Sequence, residues 1–328
     1  MKYLLLSLLL SVISVSTAVA ETVVETPYGT SEISIKVHQV KGAPVYYVIG
    51  MPGVPGAANE GMTSNAGFVV TEKGVVVYDA LGTPVHGYRL LQEIKKITDK
   101  PVTHVIAGHY HADHVYGLQA FKEHTKATIW AEKSAFEYID SPDSGMRLSQ
   151  RQDALFPWVN DSTYLVKPDK TFIGKKTFDM GDATIELMLA GPAHAPDDII
   201  MLVQPYGVVF SGDLIFGGRL PFLGGGRVDT KQWLAGLKQL ESMKPAPTFV
   251  IPGHGTPSDN PVKDITFTRE YIEFLRTKLG QQVDQLNTFG EAYTKIDWSK
   301  YKDVPTFEAA NRRNAFQVYL EMESELFK

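Results

Sequence analysis

The chain has 328 residues, 44% hydrophobic and 21% charged, with a formal net charge of -5. That apolar content excludes a disordered or collagen-like chain, the length suits one large domain or two closely packed halves, and the acidic balance argues against a nucleic-acid partner. There is no cysteine, which removes disulfides, thiolate-ligated zinc, iron–sulfur clusters and cysteine nucleophiles together.

In chain order, residues 1–20 (MKYLLLSLLLSVISVSTAVA) carry an early Lys2, an apolar run broken only by serines, and an A-x-A step at Ala18-Val19-Ala20. This is the pattern of a cleaved secretory signal peptide. The run is shorter than the roughly 20 apolar residues of a membrane span. The expected product begins at Glu21, is periplasmic or secreted, and has no membrane association after cleavage.

Residues 45–49 (VYYVI) read as a strand that stops at the glycine- and proline-rich loop 50–56. Residues 67–79 predict a hairpin turning at Glu72-Lys73-Gly74. Leu90, Leu91, Ile94 and Ile97 have helical spacing, and residues 102–106 form a strand that ends at Gly108. A helix over 116–123 and a strand at 129–130 follow, while residues 141–168 resist assignment and read as an insertion. Hairpins are expected over 177–189 and 199–210, a helix around Trp233, Leu234, Leu237 and Leu240, and a short strand at 249–251 closed by Pro252-Gly253. The pattern then turns helical through Leu279 and again over 307–326. Strand-rich blocks with intervening helices, occurring twice, predict an α/β (α+β) chain with two sheets face to face and helices outside.

Residues 108–114 (GHYHADH) place His109, His111, Asp113 and His114 within six positions of a chain with 9 histidines in all. Just after a strand, alternating His109 and His111 can face one metal while Asp113 and His114 turn toward a second. Neutral imidazole and carboxylate are donors that zinc accepts. His194 (AGPAH), Asp213 (SGD) and His254 (PGH) are each expected at a strand end.

This set resembles the metallo-β-lactamase-fold hydrolases, whose H-x-H-x-D-H signature stands here as His109-Tyr110-His111-Ala112-Asp113-His114. The later histidine, bridging aspartate and final histidine of that family match His194, Asp213 and His254, and its early acidic position matches Asp79. The resemblance covers residues 45–254. It implies an αββα sandwich of two mixed sheets with the metal site along one edge. It divides the chain into a signal peptide (1–20), a catalytic domain (21–260) and a C-terminal helical extension packed on it (261–328).

The resemblance also implies the ligand roles. His109, His111 and His194 hold one ion, Asp113, His114 and His254 hold the second, Asp213 bridges, and Asp79 orients a ligating histidine through its N–H. Two zinc ions are implied, with iron or manganese also suited to the donor set. The implied chemistry is attack by a bridging hydroxide on a small-molecule ester or amide, with Asp113 orienting the nucleophile and handling its proton. Asp213 sets the chain apart from the β-lactamases that place a thiolate in the second site. The loop 50–62 falls where β-lactamases of this fold carry a flap. Arg219 or Arg227 is a candidate for a substrate carboxylate, and Phe216 and Phe222 for an apolar wall. His38, His86, His104 and His124 match no motif. The alternatives are a lactone or thioester hydrolase and an iron-dependent persulfide dioxygenase of the same fold. A serine esterase is disfavoured by the lack of a G-x-S-x-G elbow.

Overall fold

The computed structural model describes residues 23–224 and 227–327, so the leader expected over 1–20 lies outside the described residues. The chain opens with a small hairpin of β1 (Val24–Thr26) and β2 (Gly29–Ser31). It continues through β3 (Val37–Gln39), β4 (Val45–Val48), β5 (Ala66–Thr71), β6 (Gly74–Tyr78), α1 (Pro84–Ile97), β7 (Val102–Ile106), α2 (Ala112–Val115), α3 (Leu118–His124), β8 (Thr128–Glu132), α4 (Ala135–Ile139), α5 (Pro142–Leu155) and β9 (Lys170–Phe172). The second part comprises β10 (Lys175–Asp179), β11 (Thr184–Leu189), β12 (Ile199–Gln204), β13 (Val208–Gly217), α6 (Thr230–Glu241), β14 (Phe249–Gly255), α7 (Pro261–Asp284), α8 (Phe289–Lys295) and α9 (Phe307–Glu325).

Strands β3 to β9 form a seven-stranded sheet in sequence order, and β10 to β14 a five-stranded one. Both are mixed. The first is antiparallel through β6 and parallel from β6 to β9. In the second, only the β13–β14 pair is parallel. Parallel neighbours need a crossover, and α1 and α6 supply two of these on the outer faces.

Period-two alternation builds the layers. In β6, Val75 and Val77 pack outward among Leu90, Leu91, Ile94 and Phe121 of the helices, whereas Val76 and Tyr78 point into the space between the sheets. Phe210, Met201, Ile185 and Ile251 meet them there from the second sheet. Ile200, Leu202 and Val209 face the other way, onto Trp233, Leu237, Tyr271 and Leu275. With both faces covered, the central strands are apolar throughout, as a four-layer αββα sandwich requires. The expected architecture is the observed one.

Three expectations change in detail. β13 runs well past Phe210 to Gly217, and β14 runs past Pro252-Gly253 to Gly255. Asp213 and His254 therefore lie within paired strands. The β13–β14 register shifts between Phe210 and Gly212 and again before Phe216, and such bulges re-aim side chains. Residues 141–168 contain the helix α5, with Pro142 in its first turn. The helix expected over 116–123 is α3, shifted slightly toward the C-terminus, and a separate turn of helix that was not expected, α2, precedes it inside the histidine motif.

Candidate metal centre

Four chain segments converge at one edge of the sandwich. The turn after β7 supplies His109 and His111, and α2 adds Asp113 and His114. The loop between β11 and β12 brings His194, the bulged part of β13 brings Asp213, and the end of β14 brings His254. Gly253 permits this approach, since a Cβ there would overlap the Asp213 carboxylate.

The structure brings all seven expected donors together. Single donor atoms of His109, His111 and His194 lie within 4.8 Å of one another, as do those of Asp113, His114 and His254, and those of His109, His114 and Asp213. The Asp213 carboxylate sits between the groups. Its Oδ2 is 3.2 Å from His194 Nε2 and 3.4 Å from His254 Nε2, and its Oδ1 is 3.3 Å from His114 Nε2. His38, His86, His104 and His124 join none of these groups. His86 is buried packing, 2.8 Å from Thr83 Oγ1 and 3.2 Å from Glu60 Oε2.

The donor set fits a metal. Carbonyl oxygens only accept, so His194 Nδ1 donates to the Phe222 carbonyl at 2.9 Å and His254 Nδ1 donates to the Thr63 carbonyl at 2.8 Å. His114 Nδ1 lies 2.8 Å from Asp79 Oδ2, and Asp79 Oδ1 accepts the Gly108 N–H at 2.7 Å. With the outer nitrogens so engaged, the Nε2 atoms of these three rings are the ones turned toward the cluster. His111 Nδ1 stands only 2.9 Å from His194 Nε2. Both nitrogens of buried His109, and Asp213 Oδ1, have no hydrogen-bond partner among the described residues. Lone pairs and carboxylates aimed at one another in a buried site repel unless cations lie between them.

The electrostatics agree. Burial drives the Asp213 carboxyl up, but His254, His114 and His194 outweigh it and hold it well below the carboxylate range. Burial likewise opposes the charge on Asp113, and His114 and His254 overcome it. Burial lowers His109 far below its usual value, so its ring is neutral and fit to ligate.

A cavity of about 860 Å³ opens over the cluster, walled by the expected loop (Gly53, Val54, Pro55) and by Phe222 and Arg219. Arg219 is 6% exposed, and its Nε has no hydrogen-bond partner among the described residues. Its guanidinium lies 5.2 Å from the Phe222 ring and 5.9 Å from the Phe216 ring. Phe216 is buried and does not line the cavity. It stacks on His254 with ring centroids 5.2 Å apart, so it packs a ligand. Arg227 lies at the cavity wall, 3.7 Å from Asp143.

Sequence reasoning missed the far wall. Tyr138 comes from α4, Arg147 and Arg151 from α5, and Arg313 from α9. The i, i+4 spacing of Arg147 and Arg151 was the available signal. It also missed Thr63, whose Oγ1 donates to Asp113 Oδ2 at 3.2 Å, and Asp198, whose Oδ1 lies 4.0 Å from His109 Nδ1.

A sequence profile described as the metallo-beta-lactamase superfamily matches residues 60–254. The chain belongs to this superfamily. It is 23% identical over 257 residues to a linear primary-alkylsulfatase of Pseudomonas sp. (strain ATCC 19151), covering 68% of this chain and 48% of that protein. It is 25% identical over 194 residues to metallo-beta-lactamase IND-1 of Chryseobacterium indologenes, covering 58% and 72%. Among solved structures, the stereoselective inverting sec-alkylsulfatase Pisa1 from Pseudomonas sp. matches at a TM-score of 0.68 with 18% identity, over 88% of this chain and 50% of that one. A metallo-beta-lactamase from Pontibacter korlensis matches at 0.57 with 20% identity, over 73% and 99%. The chain thus spans about half the length of these alkylsulfatases. Superfamily members are hydrolases, and the donor groups of this chain are those of a metal-binding one. No helix among the described residues is long and apolar enough to cross a membrane.

Proposed function

We propose that the chain is an exported, binuclear zinc-dependent hydrolase that opens an ester or amide bond in a small molecule bearing an anionic group. The observation that carries the metal part is the meeting of seven His and Asp donors whose outer atoms are already hydrogen-bonded or buried without partners. When bound, the two ions supply a hydroxide nucleophile at neutral pH and polarise the scissile bond.

The residues of the chain do the rest. His109, His111 and His194 would hold one ion, Asp113, His114 and His254 the other, with Asp213 shared. Asp113 is the more exposed of the two cluster carboxylates, with 18% of its side chain accessible against 4% for Asp213. Thr63 fixes its Oδ2, which suits Asp113 to orient the nucleophile and hold its proton. Arg219 supports the anionic substrate. A buried guanidinium stays charged, and ordinary burial of an unpaired charge costs several kcal/mol. The carboxylates acting on it are those of Asp213 and Asp113, which are also the metal donors. A substrate anion would give Arg219 its own partner, with Phe222 packed beside it. The leader sequence supports export.

A substrate panel tests this reading: sulfate esters, carboxylated β-lactams, lactones, thioesters and phosphodiesters, each with its uncharged counterpart where one exists. The expected result is chelator-sensitive hydrolysis confined to anionic members. Chelator-insensitive turnover, or equal turnover of charged and uncharged members, would contradict it.

A further inference from the structure

His194 is oriented through a relay that ends outside the region matched by the superfamily. Its Nδ1 donates to the Phe222 carbonyl at 2.9 Å. The other end of that same peptide unit, the Leu223 N–H, donates to Asn314 Oδ1 at 2.8 Å. In a trans peptide the C=O and N–H point in opposite directions, so the two hydrogen bonds lie in line and polarise each other. The Asn314 side-chain amide also donates, to the Pro221 carbonyl at 2.7 Å. It thereby grips the loop on both sides of Phe222.

Asn314 is itself held. It lies on α9 and is fully buried. Its Nδ2 also lies 3.1 Å from the Tyr271 hydroxyl on α7, which donates to Asn311 Oδ1 at 2.9 Å. Thr306 Oγ1 donates to the Leu220 carbonyl at 3.1 Å, and the Leu220 N–H donates to Pro305 O at 3.1 Å. Leu220, Pro221 and Leu223 are thus hydrogen-bonded to Asn314 of α9 or to the two residues just before that helix, which holds the Phe222 carbonyl on both sides. A buried amide with its donor and acceptor both committed to one loop is costly to disturb, because each lost partner leaves a desolvated group.

We propose that Asn314 is a positioning residue that sets the metal affinity of the His109–His111–His194 group through the Phe222–Leu223 peptide, so that the C-terminal helices govern occupancy of one of the two metal positions. The inference rests on reading the cluster as a metal centre. Asp79 plays the corresponding part for His114 by direct contact. Loss of such an orienting partner typically costs about 10–100-fold in metal affinity, and one peptide further out the lower end applies.

The test is a chelator-competition titration of the full chain with zinc, comparing wild type with Asn314→Ala and Asn311→Ala. Asn311 is equally buried in the same network, but its side-chain hydrogen bonds among the described residues go to Tyr271 and Tyr293 and not to the loop, so it controls for general loosening. Asn314→Ala is expected to weaken one of two zinc constants by about tenfold and leave the other within about twofold. Asn311→Ala is expected to lower the thermal midpoint while keeping both constants. Equal constants in wild type and Asn314→Ala, or equal losses in the two alanine variants, would overturn the relay. Failure of the wild type to bind two zinc ions would overturn the metal reading itself. Hydrogen exchange on the unmodified chain gives the reciprocal readout, independent of whether the variants fold. Zinc loading should slow exchange at the Leu223 amide relative to Asn311-linked sites, and no difference at Leu223 would count against the relay.

Discussion

The two halves of the metal cluster are braced from different parts of the chain. His114 leans on Asp79 at the end of β6, and His254 on the Thr63 carbonyl. Both braces lie inside residues 60–254, the stretch that matches the superfamily. His194 leans on Phe222, whose peptide is held by Asn314 of α9, beyond that stretch. One half is therefore built into the sheets, where central strands leave little freedom. The other hangs on a loop whose position depends on α9, which follows the last strand of the sandwich. A donor set contained in one region can still depend on another for its geometry.

The strongest way to break this comparison is to remove the residue common to both halves. Asp213→Ala takes a carboxylate from between His114, His194 and His254. Turnover should fall by more than the about 100-fold that marks loss of an orienting partner alone, with the far-ultraviolet circular dichroism unchanged. His111→Ala should match it in rate but remove only one ion. Undiminished hydrolysis by either well-folded variant would sink the binuclear assignment.

Asp79→Asn sharpens the contrast from the sheet side. Asp79 accepts from Gly108 N–H with one oxygen and faces His114 with the other, and an amide cannot accept at both. Zinc affinity should fall by about 10–100-fold at the Asp113–His114–His254 group alone. A matching loss at the other group, read by the same chelator competition, would show the halves to be one unit.

Arg219→Ala removes none of the seven donors and none of their braces, so its effect should fall on substrate binding alone. A hydrogen bond to a charged group contributes about 1.5–3 kcal/mol, so KM for anionic substrates should rise by about 10–100-fold while zinc stoichiometry stays fixed. Unchanged KM would take Arg219 out of substrate binding.

The donors were legible in the sequence because GHYHADH concentrates them locally, and His194, Asp213 and His254 each follow a glycine- or proline-marked turn. The layers were legible because Val75, Val76, Val77 and their counterparts alternate between two apolar environments. The helix α5 was not, since Leu155 is its one fully buried residue and its charges leave almost no apolar period to read. Its packing is tertiary, with Leu155 set against Gly61, where a Cβ would collide with it. The extent of β13 was hidden by Gly212, whose φ of 51° marks a bulge that reads in sequence as a turn. Asn311 and Asn314 had left a trace, two amides on the same stripe of α9 as Ala310, Ala315 and Val318. A polar pair on a buried helical face signals a hydrogen-bonded partner but does not say which.

The most direct test of the account follows zinc and hydrolysis in one titration of the metal-stripped chain. Activity on an anionic ester or amide should be absent without metal and complete at two equivalents of zinc per chain, with excess chelator reversing it. Full activity in the metal-stripped chain, or saturation at a single equivalent, would contradict a binuclear centre.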